Sequence, residues 1–336
     1  MADLPQLVIT DYVTDPDCER QVLKDAAQIV CLDAHGETEL LGKLDRARAV
    51  ICFHDVQITR RVLEQAPQCV GVVRAGVGFN NIDIRAAGEM GIVVCNVPDY
   101  GTEEVADHAL GLLLALARRI VPAANSTRGG EWNVAINLGA PRLRGLTVGI
   151  IGAGRIGTAM ARRVAALGMR VVIYDPYVPR GYEKAIAVER AWTLDELLPQ
   201  CHFVSLHCPM TEETYHILDA KRLEQLPRGA YLINTARGGL VDEEALIGAA
   251  DSGRIQWAAL DVVEREPLAN DRLRNHPRIV VTPHCAFYSV EAAPEMRTKG
   301  AQEVLRLLQS VPPRCPVNAA FLRNPRAQID PHQTGK

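Results

Sequence analysis

The chain has 336 residues, of which 48% are hydrophobic and 23% charged, with a formal net charge of −3. That length carries two ordinary domains with a sizeable core, and the mix is that of a soluble globular protein. It excludes the basic field that grips nucleic acid, and no apolar run approaches a membrane span, since the longest, Ala109 to Ala117, soon meets Arg118 and Arg119.

Short apolar runs alternate with helical patterns from the start. Leu7-Val8-Ile9 reads as a strand, as do Ala49-Val50-Ile51, Val70 to Val73 and Ile92-Val93-Val94. Between them, Thr59 to Ala66 and Ile82 to Gly88 read as short helices. Glu103 to Arg119, rich in Ala and Leu, reads as one long helix. Ile120 to Arg144 then loses regular pattern through Gly129-Gly130, Trp132 and Pro141, as a loop or as an arm that packs on a partner subunit. A second alternating series opens at Leu146 to Ile151. Its further strands are Arg170 to Tyr174, Phe203 to Leu206, Tyr231 to Asn234, Gln256 to Leu260 and Arg278 to Val281. Ser289 to Leu308 reads as a final helix, and the Pro-rich polar tail after Pro312 as loose.

Such alternation predicts parallel sheets with helices on both faces. The expected architecture is α/β, with two doubly wound parallel-sheet domains. Residues 1–102 plus 290–336 are expected to form one discontinuous domain, and residues 103–289 an inserted one with 120–145 as the arm.

The strongest local signal is Gly152-Ala153-Gly154-Arg155-Ile156-Gly157, which follows a strand and opens a helix. Ile156, Met160, Val164 and Leu167 share one face of that helix. In this context the first glycine allows a tight turn, the second lets the backbone approach a pyrophosphate, and the third lets helix and strand pack closely. The helix N-terminus offers unpaired N–H groups to the phosphate. The next strand ends in Asp175, whose carboxylate can accept from ribose hydroxyls and would repel a 2′-phosphate, which favours NAD over NADP. No arginine follows until Arg180.

Three later pieces each sit at the end of an expected strand, where ligands bind in open α/β sheets. They are Asn234 to Gly239, Leu260 to Pro267, and Thr282-Pro283-His284-Cys285-Ala286. Brought to one cleft beside a nicotinamide, Arg237, Glu266 and His284 form a working set. His284 suits the acid/base role because an ordinary imidazole titrates near neutrality. Glu266 can orient it, and Arg237 can bind a carboxylate or carbonyl oxygen. Singly, each has a plainer reading: a solvated loop charge, a turn residue before proline, a structural histidine. Spacing alone does not bring them together.

Other features read as structural. Asp107-His108 is expected to be a polar helix face. Cys285 is expected to be a small packing residue, and Trp132, Trp192 and Trp257 to be packing residues. His202, His207 and His216 lack metal-ligand spacing and no HExxH is present, so no metal is expected. Nine cysteines stand without a CxxC pair and read as reduced thiols of a cytoplasmic protein. Met1 to Pro5 lacks the order of a signal peptide.

From about Leu7 to Asn318 the chain resembles the D-isomer-specific 2-hydroxyacid dehydrogenases. The matching motifs are Arg74 to Asp83, the Gly152 loop, Asn234 to Asp242 and Thr282-Pro283-His284. Within the family it is most similar to the C-terminal-binding-protein branch, through Val94 to Pro98, Tyr174 to Tyr177, Leu206 to Pro209 and His284 to Ser289. The resemblance implies a Rossmann NAD-binding domain inserted in a flavodoxin-like substrate domain. It implies Arg237, Glu266 and His284 as the catalytic residues. NAD would be held by Gly152, Gly154, Arg155, Ile156, Gly157, Asp175, Cys208, Pro209, Thr235, Ala236 and Asp261, the last at the nicotinamide amide. A loop with Arg74, Val77 and Gly78 would take the substrate carboxylate. The family is dimeric, and Ile120 to Arg144 matches its dimerisation arm. Phe287 stands where eukaryotic members of the branch carry a substrate-lining Trp, and their long disordered tail has no counterpart here. The first departure bears on the preferred substrate, and the second weighs against a transcriptional role. The leading expectation is an enzyme on a small D-2-hydroxy or 2-keto acid. The alternative is an NAD(H)-sensing corepressor-like binding module. A formate-type dehydrogenase is a third reading, and such relatives carry Gln at the position of Glu266.

Overall fold

The computed structural model describes residues 4–329, so the first three residues of the N-terminal segment and the tail from 330 lie outside it. Two compact units divide the chain: residues up to Gly101 with those from Ser289 onward, and Thr102–Tyr288. The architecture is α/β, with a five-stranded and a seven-stranded sheet whose strand pairs are all parallel.

In the first unit the strands are β1 (Gln6–Ile9), β2 (Gln28–Cys31), β3 (Ala47–Cys52), β4 (Gly71–Arg74) and β5 (Val93–Asn96). Their spatial order is β2-β1-β3-β4-β5, the flavodoxin-like winding. Leu7, Val50, Ile51, Val72, Val73 and Val94 are all buried, because helices cover both faces of a parallel sheet and each strand becomes an unbroken apolar run. Two elements escape the hydrophobic pattern. The edge strand β2 is partly exposed. The helix Asp17–Leu23 hides its packing under charge, since Glu19 is fully buried against Arg297.

The final helix, Ala292–Leu308, belongs to this unit. It starts later than the pattern suggests, with the Ser289 hydroxyl accepting the Ala292 N–H at 2.8 Å. The tail expected to be loose is instead tied down as far as it is described. Val317 N–H donates to the Val94 carbonyl at 2.8 Å. Asn318, fully buried, accepts from Val94 N–H and donates to the Ile92 carbonyl, both at 2.9 Å. A polar segment that satisfies the open edge of β5 is held by those bonds without apolar periodicity.

In the second unit the strands are β6 (Thr147–Ile151), β7 (Arg170–Tyr174), β8 (Glu189–Arg190), β9 (Phe203–Leu206), β10 (Ala230–Asn234), β11 (Ile255–Leu260) and β12 (Ile279–Val281). The order β12-β11-β10-β9-β6-β7-β8 reverses direction between β6 and β9, which opens the crevice of a Rossmann sheet at the carboxyl ends of those strands. The long helix Thr102–Ala117 packs on the helix Arg155–Ala166, and Arg163 of the latter bridges Asp107 and Glu103 of the former. The stretch expected to be patternless contains a helix, Ile120–Arg128, and a short 3-10 turn, Val134–Asn137. Among the described residues no helix is long and apolar enough to cross a membrane.

Candidate active site

The glycine turn follows β6. Gly152 has φ +93°, and a Cβ there would lie 2.5 Å from the backbone nitrogen of Cys208, so only glycine fits where the loops after β6 and β9 meet. A Cβ on Gly157 would lie 1.9 Å from the Gly152 carbonyl oxygen, which is the close helix–strand packing the third glycine permits. A Cβ on Gly154 meets nothing within 4 Å, so the second glycine faces open space. Thr158 N–H to the Gly154 carbonyl, 2.9 Å, closes the first helical turn. The N–H groups of Arg155 and Ile156 precede it and point outward at the positive end of the helix. Arg155 itself is exposed and Ile156 half-buried.

Asp175 stands at the end of β7. Its Oδ2 accepts the Ala153 N–H at 2.8 Å and its Oδ1 the Tyr177 N–H at 2.9 Å, so the carboxylate is fixed above the glycine turn. Arg180 lies over the Trp192 ring, 5.4 Å from its centroid. Beyond β9, burial drives the His207 imidazole down to about 4, so the ring is neutral, and pushes the Cys208 thiol up to about 12. Pro209 is exposed. Two buried polar atoms at strand ends, His207 Nδ1 and Thr235 Oγ1, have no partner among the described residues. Open space at Gly154, helix N–H groups and unsatisfied polar atoms fit a dinucleotide.

The three residues expected to be catalytic, Arg237, Glu266 and His284, follow β10, β11 and β12. Asn234 shapes the first loop: its Nδ2 donates to the Arg237 carbonyl at 2.8 Å and its Oδ1 accepts the Ala236 N–H at 3.0 Å. Arg237 and Ala236 are half-buried. A Cβ on Gly238 would come 1.9 Å from the Val263 carbonyl carbon, so this loop lies directly on the one that carries Glu266. His284 Nδ1 pairs with Glu266 Oε2 at 2.7 Å. Burial alone would raise Glu266. The His284 hydrogen bond and charge, with the Val263 N–H and Arg237, outweigh it and hold the carboxyl below its ordinary value. Arg237 is thus near enough to act on the pair. His284 takes φ +50°, and its N–H donates to the Asp261 carbonyl at 2.8 Å, which locks this rarely adopted conformation. Phe287 sets its ring edge-on to the imidazole, 6.3 Å between centroids.

Several residues support these loops, most of them within the motifs themselves. The Asp261 carboxylate, 1% exposed, accepts from the Thr282 hydroxyl (2.5 Å), Cys285 N–H (3.1 Å) and Ala286 N–H (2.9 Å). It knits the His284 turn together. Glu264 accepts the Glu243 N–H at 3.1 Å, donates its own N–H to Glu243 at 2.7 Å and meets His216 Nε2 at 3.1 Å, which anchors the Glu266 loop to a helix start. His108 is not simply part of a polar face, because its Nε2 lies 3.2 Å from the Thr282 hydroxyl. Its position on a helical face gave a charge pattern but no partner. Trp132 is 94% exposed, and Trp192, 53% exposed, lies beneath the Arg180 and Arg190 guanidiniums, which corrects the expectation that both are packing residues.

In the first unit, Arg74 ends β4, 8% exposed. Its Nη1 donates to the Ala75 carbonyl at 2.8 Å, while its buried Nε has no partner among the described residues. Gly76 takes φ +141°, a backbone conformation that favours glycine, and a Cβ there would displace the Arg74 guanidinium, whose Nη1 would lie 1.4 Å away. Asn96 Nδ2 holds the Val77 carbonyl at 2.7 Å, and Val77 and Gly78 are half-buried.

The winding and glycine turn of the second unit define a dinucleotide-binding protein of the Rossmann class. Residues 110–286 match the family described as D-isomer specific 2-hydroxyacid dehydrogenase, NAD binding domain. The chain is 35% identical over 323 residues to C-terminal-binding protein 1 of Caenorhabditis elegans, covering 93% of this chain and 44% of that one. It is 37% identical over 299 residues to D-3-phosphoglycerate dehydrogenase of Methanocaldococcus jannaschii, covering 88% and 57%. It therefore spans about half the length of these curated relatives. A glyoxylate reductase from Paecilomyes thermophila shares the fold at a TM-score of 0.86 and 27% identity, covering 94% of this chain and 99% of that one. The chain belongs to the D-isomer specific 2-hydroxyacid dehydrogenase family, and its cofactor is NAD. The match to the worm protein supports the C-terminal-binding-protein-like branch.

Proposed function

We propose that this chain is an NAD-dependent oxidoreductase that moves a hydride between the nicotinamide and the alpha carbon of a small D-2-hydroxy acid or the matching 2-keto acid. The reading rests on the 2.7 Å bond between His284 Nδ1 and Glu266 Oε2, on loops that leave the same edge of the sheet as the glycine turn. When bound, the cofactor would supply the hydride as NADH or take it up as NAD+. With Nδ1 held by Glu266, His284 Nε2 exchanges the proton with the substrate oxygen. It gives the proton up in reduction and takes it in oxidation. Glu266, kept as carboxylate, fixes the ring and balances its charge. Arg237 offers a planar cation to the substrate carboxylate or carbonyl oxygen.

The unpartnered Nε of Arg74 supports a role for the Arg74 loop in holding the substrate carboxylate, with N–H groups of Val77 and Gly78. Asp261 is assigned to the nicotinamide amide and Phe287 to the substrate pocket. Nine free cysteines support a reducing, cytoplasmic setting.

The test is a panel of 2-keto acids with NADH, followed by loss of absorbance, beside His284→Ala and Arg237→Ala. Turnover is expected with at least one small keto acid. Both variants should fall by at least about a hundredfold while still binding NADH. Unchanged turnover in His284→Ala removes the proposed base. The identity to C-terminal-binding protein 1 favours a second reading, an NAD(H)-sensing binding module. No turnover across the panel, together with NADH-dependent capture of a peptide, would select it.

A further inference from the structure

The second unit gathers another set of donors beside the His284–Glu266 pair. His108 lies on the helix Thr102–Ala117, Asp261 follows β11 and Cys285 follows β12. An imidazole nitrogen, a carboxylate oxygen and a sulfur from these three lie within 4.8 Å of one another. Two of the separations, His108 Nε2 to Asp261 Oδ1 and Cys285 Sγ to Asp261 Oδ1, are 3.6 Å. Zinc binds such atoms at about 2.0–2.3 Å, so the edge of its coordination tetrahedron is roughly 3.5 Å. Two edges of a tetrahedral face are therefore already in place, and the third, between His108 and Cys285, is no longer than 4.8 Å.

We propose that His108, Asp261 and Cys285 form a three-donor site for a thiophilic divalent cation of the zinc class, with the fourth position left to water. A nitrogen, oxygen and sulfur set suits zinc, whereas magnesium and calcium take oxygen sets. The central carboxylate is preorganised, because the backbone N–H groups of Cys285 and Ala286 hold it at 3.1 Å and 2.9 Å. The Thr282 hydroxyl donates to Asp261 Oδ1, so its oxygen accepts a hydrogen bond from His108 Nε2–H when no cation is bound. Coordination therefore moves the imidazole proton to Nδ1 and sends the Cys285 thiol proton to solvent. One proton leaves per cation, and nothing is oxidised or reduced. Because Asp261 is also the residue assigned to the nicotinamide, cation and NADH exclude each other; that consequence rests on the function proposed above. Linear spacing could not reveal this trio, since its members come from three separate elements.

The experiment is a calorimetric titration of the metal-stripped full-length protein with zinc, in buffers of different ionisation heat, beside Cys285→Ser and His108→Ala. Other thiols can bind zinc, so the readout is the class of sites that differs between proteins. Wild type should show a site that releases one proton, and each variant should lose it or bind at least about tenfold more weakly with an unchanged melting temperature. Cadmium should give a thiolate charge-transfer band that Cys285→Ser lacks, and magnesium should give no heat. The same zinc stoichiometry and affinity in both variants, or equal binding of magnesium, overturns the site. Should His108→Ala unfold, His108→Gln carries the same comparison. NADH affinity measured with zinc bound separates the two readings: if zinc binds through Cys285 and NADH affinity is unchanged, the metal site stands and the nicotinamide assignment of Asp261 falls.

Discussion

Glu266 is pulled in two directions, and the balance is measurable. Burial favours its neutral form, while His284, the Val263 N–H and Arg237 favour the carboxylate and win. A carboxyl held low in the folded state adds stability that is present above the unfolded value of about 4.3 and is lost as pH falls through the folded one. The melting temperature of wild type should therefore fall more steeply from about pH 5 to pH 3 than that of Glu266→Gln. Parallel curves would show that the pairing adds nothing to stability. Gly238→Ala tests the loop contact beside it. The added methyl would meet the Val263 carbonyl carbon at 1.9 Å and displace the Glu266 loop. We expect a loss of about 1–3 kcal/mol by denaturant titration and a fall of about 10–100-fold in kcat. A variant with normal kcat would mean that the loop spacing is not catalytic. The glycine turn, Asp175 and the three strand-end motifs were legible in the sequence because each is a local pattern with its own turn chemistry. Asn234, Glu243, Glu264 and Thr282 were given no role of their own, because a supporting role is visible only in the partner a side chain reaches.

At the scale of elements, parallel strands were easy to find and charged helices were not. β7 and β9 coincide with the expected runs, since strands buried on both faces are contiguously apolar. The helix Asp17–Leu23 was missed because one of its two buried residues, beside Leu23, is Glu19. Arg297 of the final helix grips that carboxylate twice, Nε to Oε1 at 3.0 Å and Nη2 to Oε2 at 2.6 Å. Arg297→Ala would leave a fully buried carboxylate without its cation. We expect a loss of about 3–5 kcal/mol in urea unfolding, largely recovered when Glu19→Gln and Arg297→Met are combined. A cost below about 1 kcal/mol would show that the helix is held by apolar packing alone. The tail after Pro312 teaches the same lesson, since Asn318 ties it to β5 by polar bonds that no hydrophobic count detects.

For the molecule as a whole, the conspicuous surface is the stretch around residues 120–138. Trp132 is 94%, Val134 88% and Leu138 74% exposed, a concentration of apolar groups that an isolated soluble chain rarely leaves in water. We propose that a second copy covers it, as the expected dimerisation arm requires. Trp132→Glu with Val134→Asp should convert a dimer to a monomer in sedimentation equilibrium with the fold intact. A wild-type monomer, or a dimer indifferent to these changes, would sink the proposal.

The amino-acid sequence by itself determined the alternation of strands and helices, the glycine turn with its acidic partner, and the identity of the reactive groups at the strand ends. These follow from hydrophobic period and turn chemistry, which act over a few residues along the chain. Tertiary structure alone decided which atoms meet: His284 with Glu266, Asp261 beneath the Thr282–Ala286 turn, His108 beside both, and Arg297 on Glu19. Such pairings join residues tens to hundreds of positions apart, and their geometry comes from packing and from the need to satisfy every buried polar group.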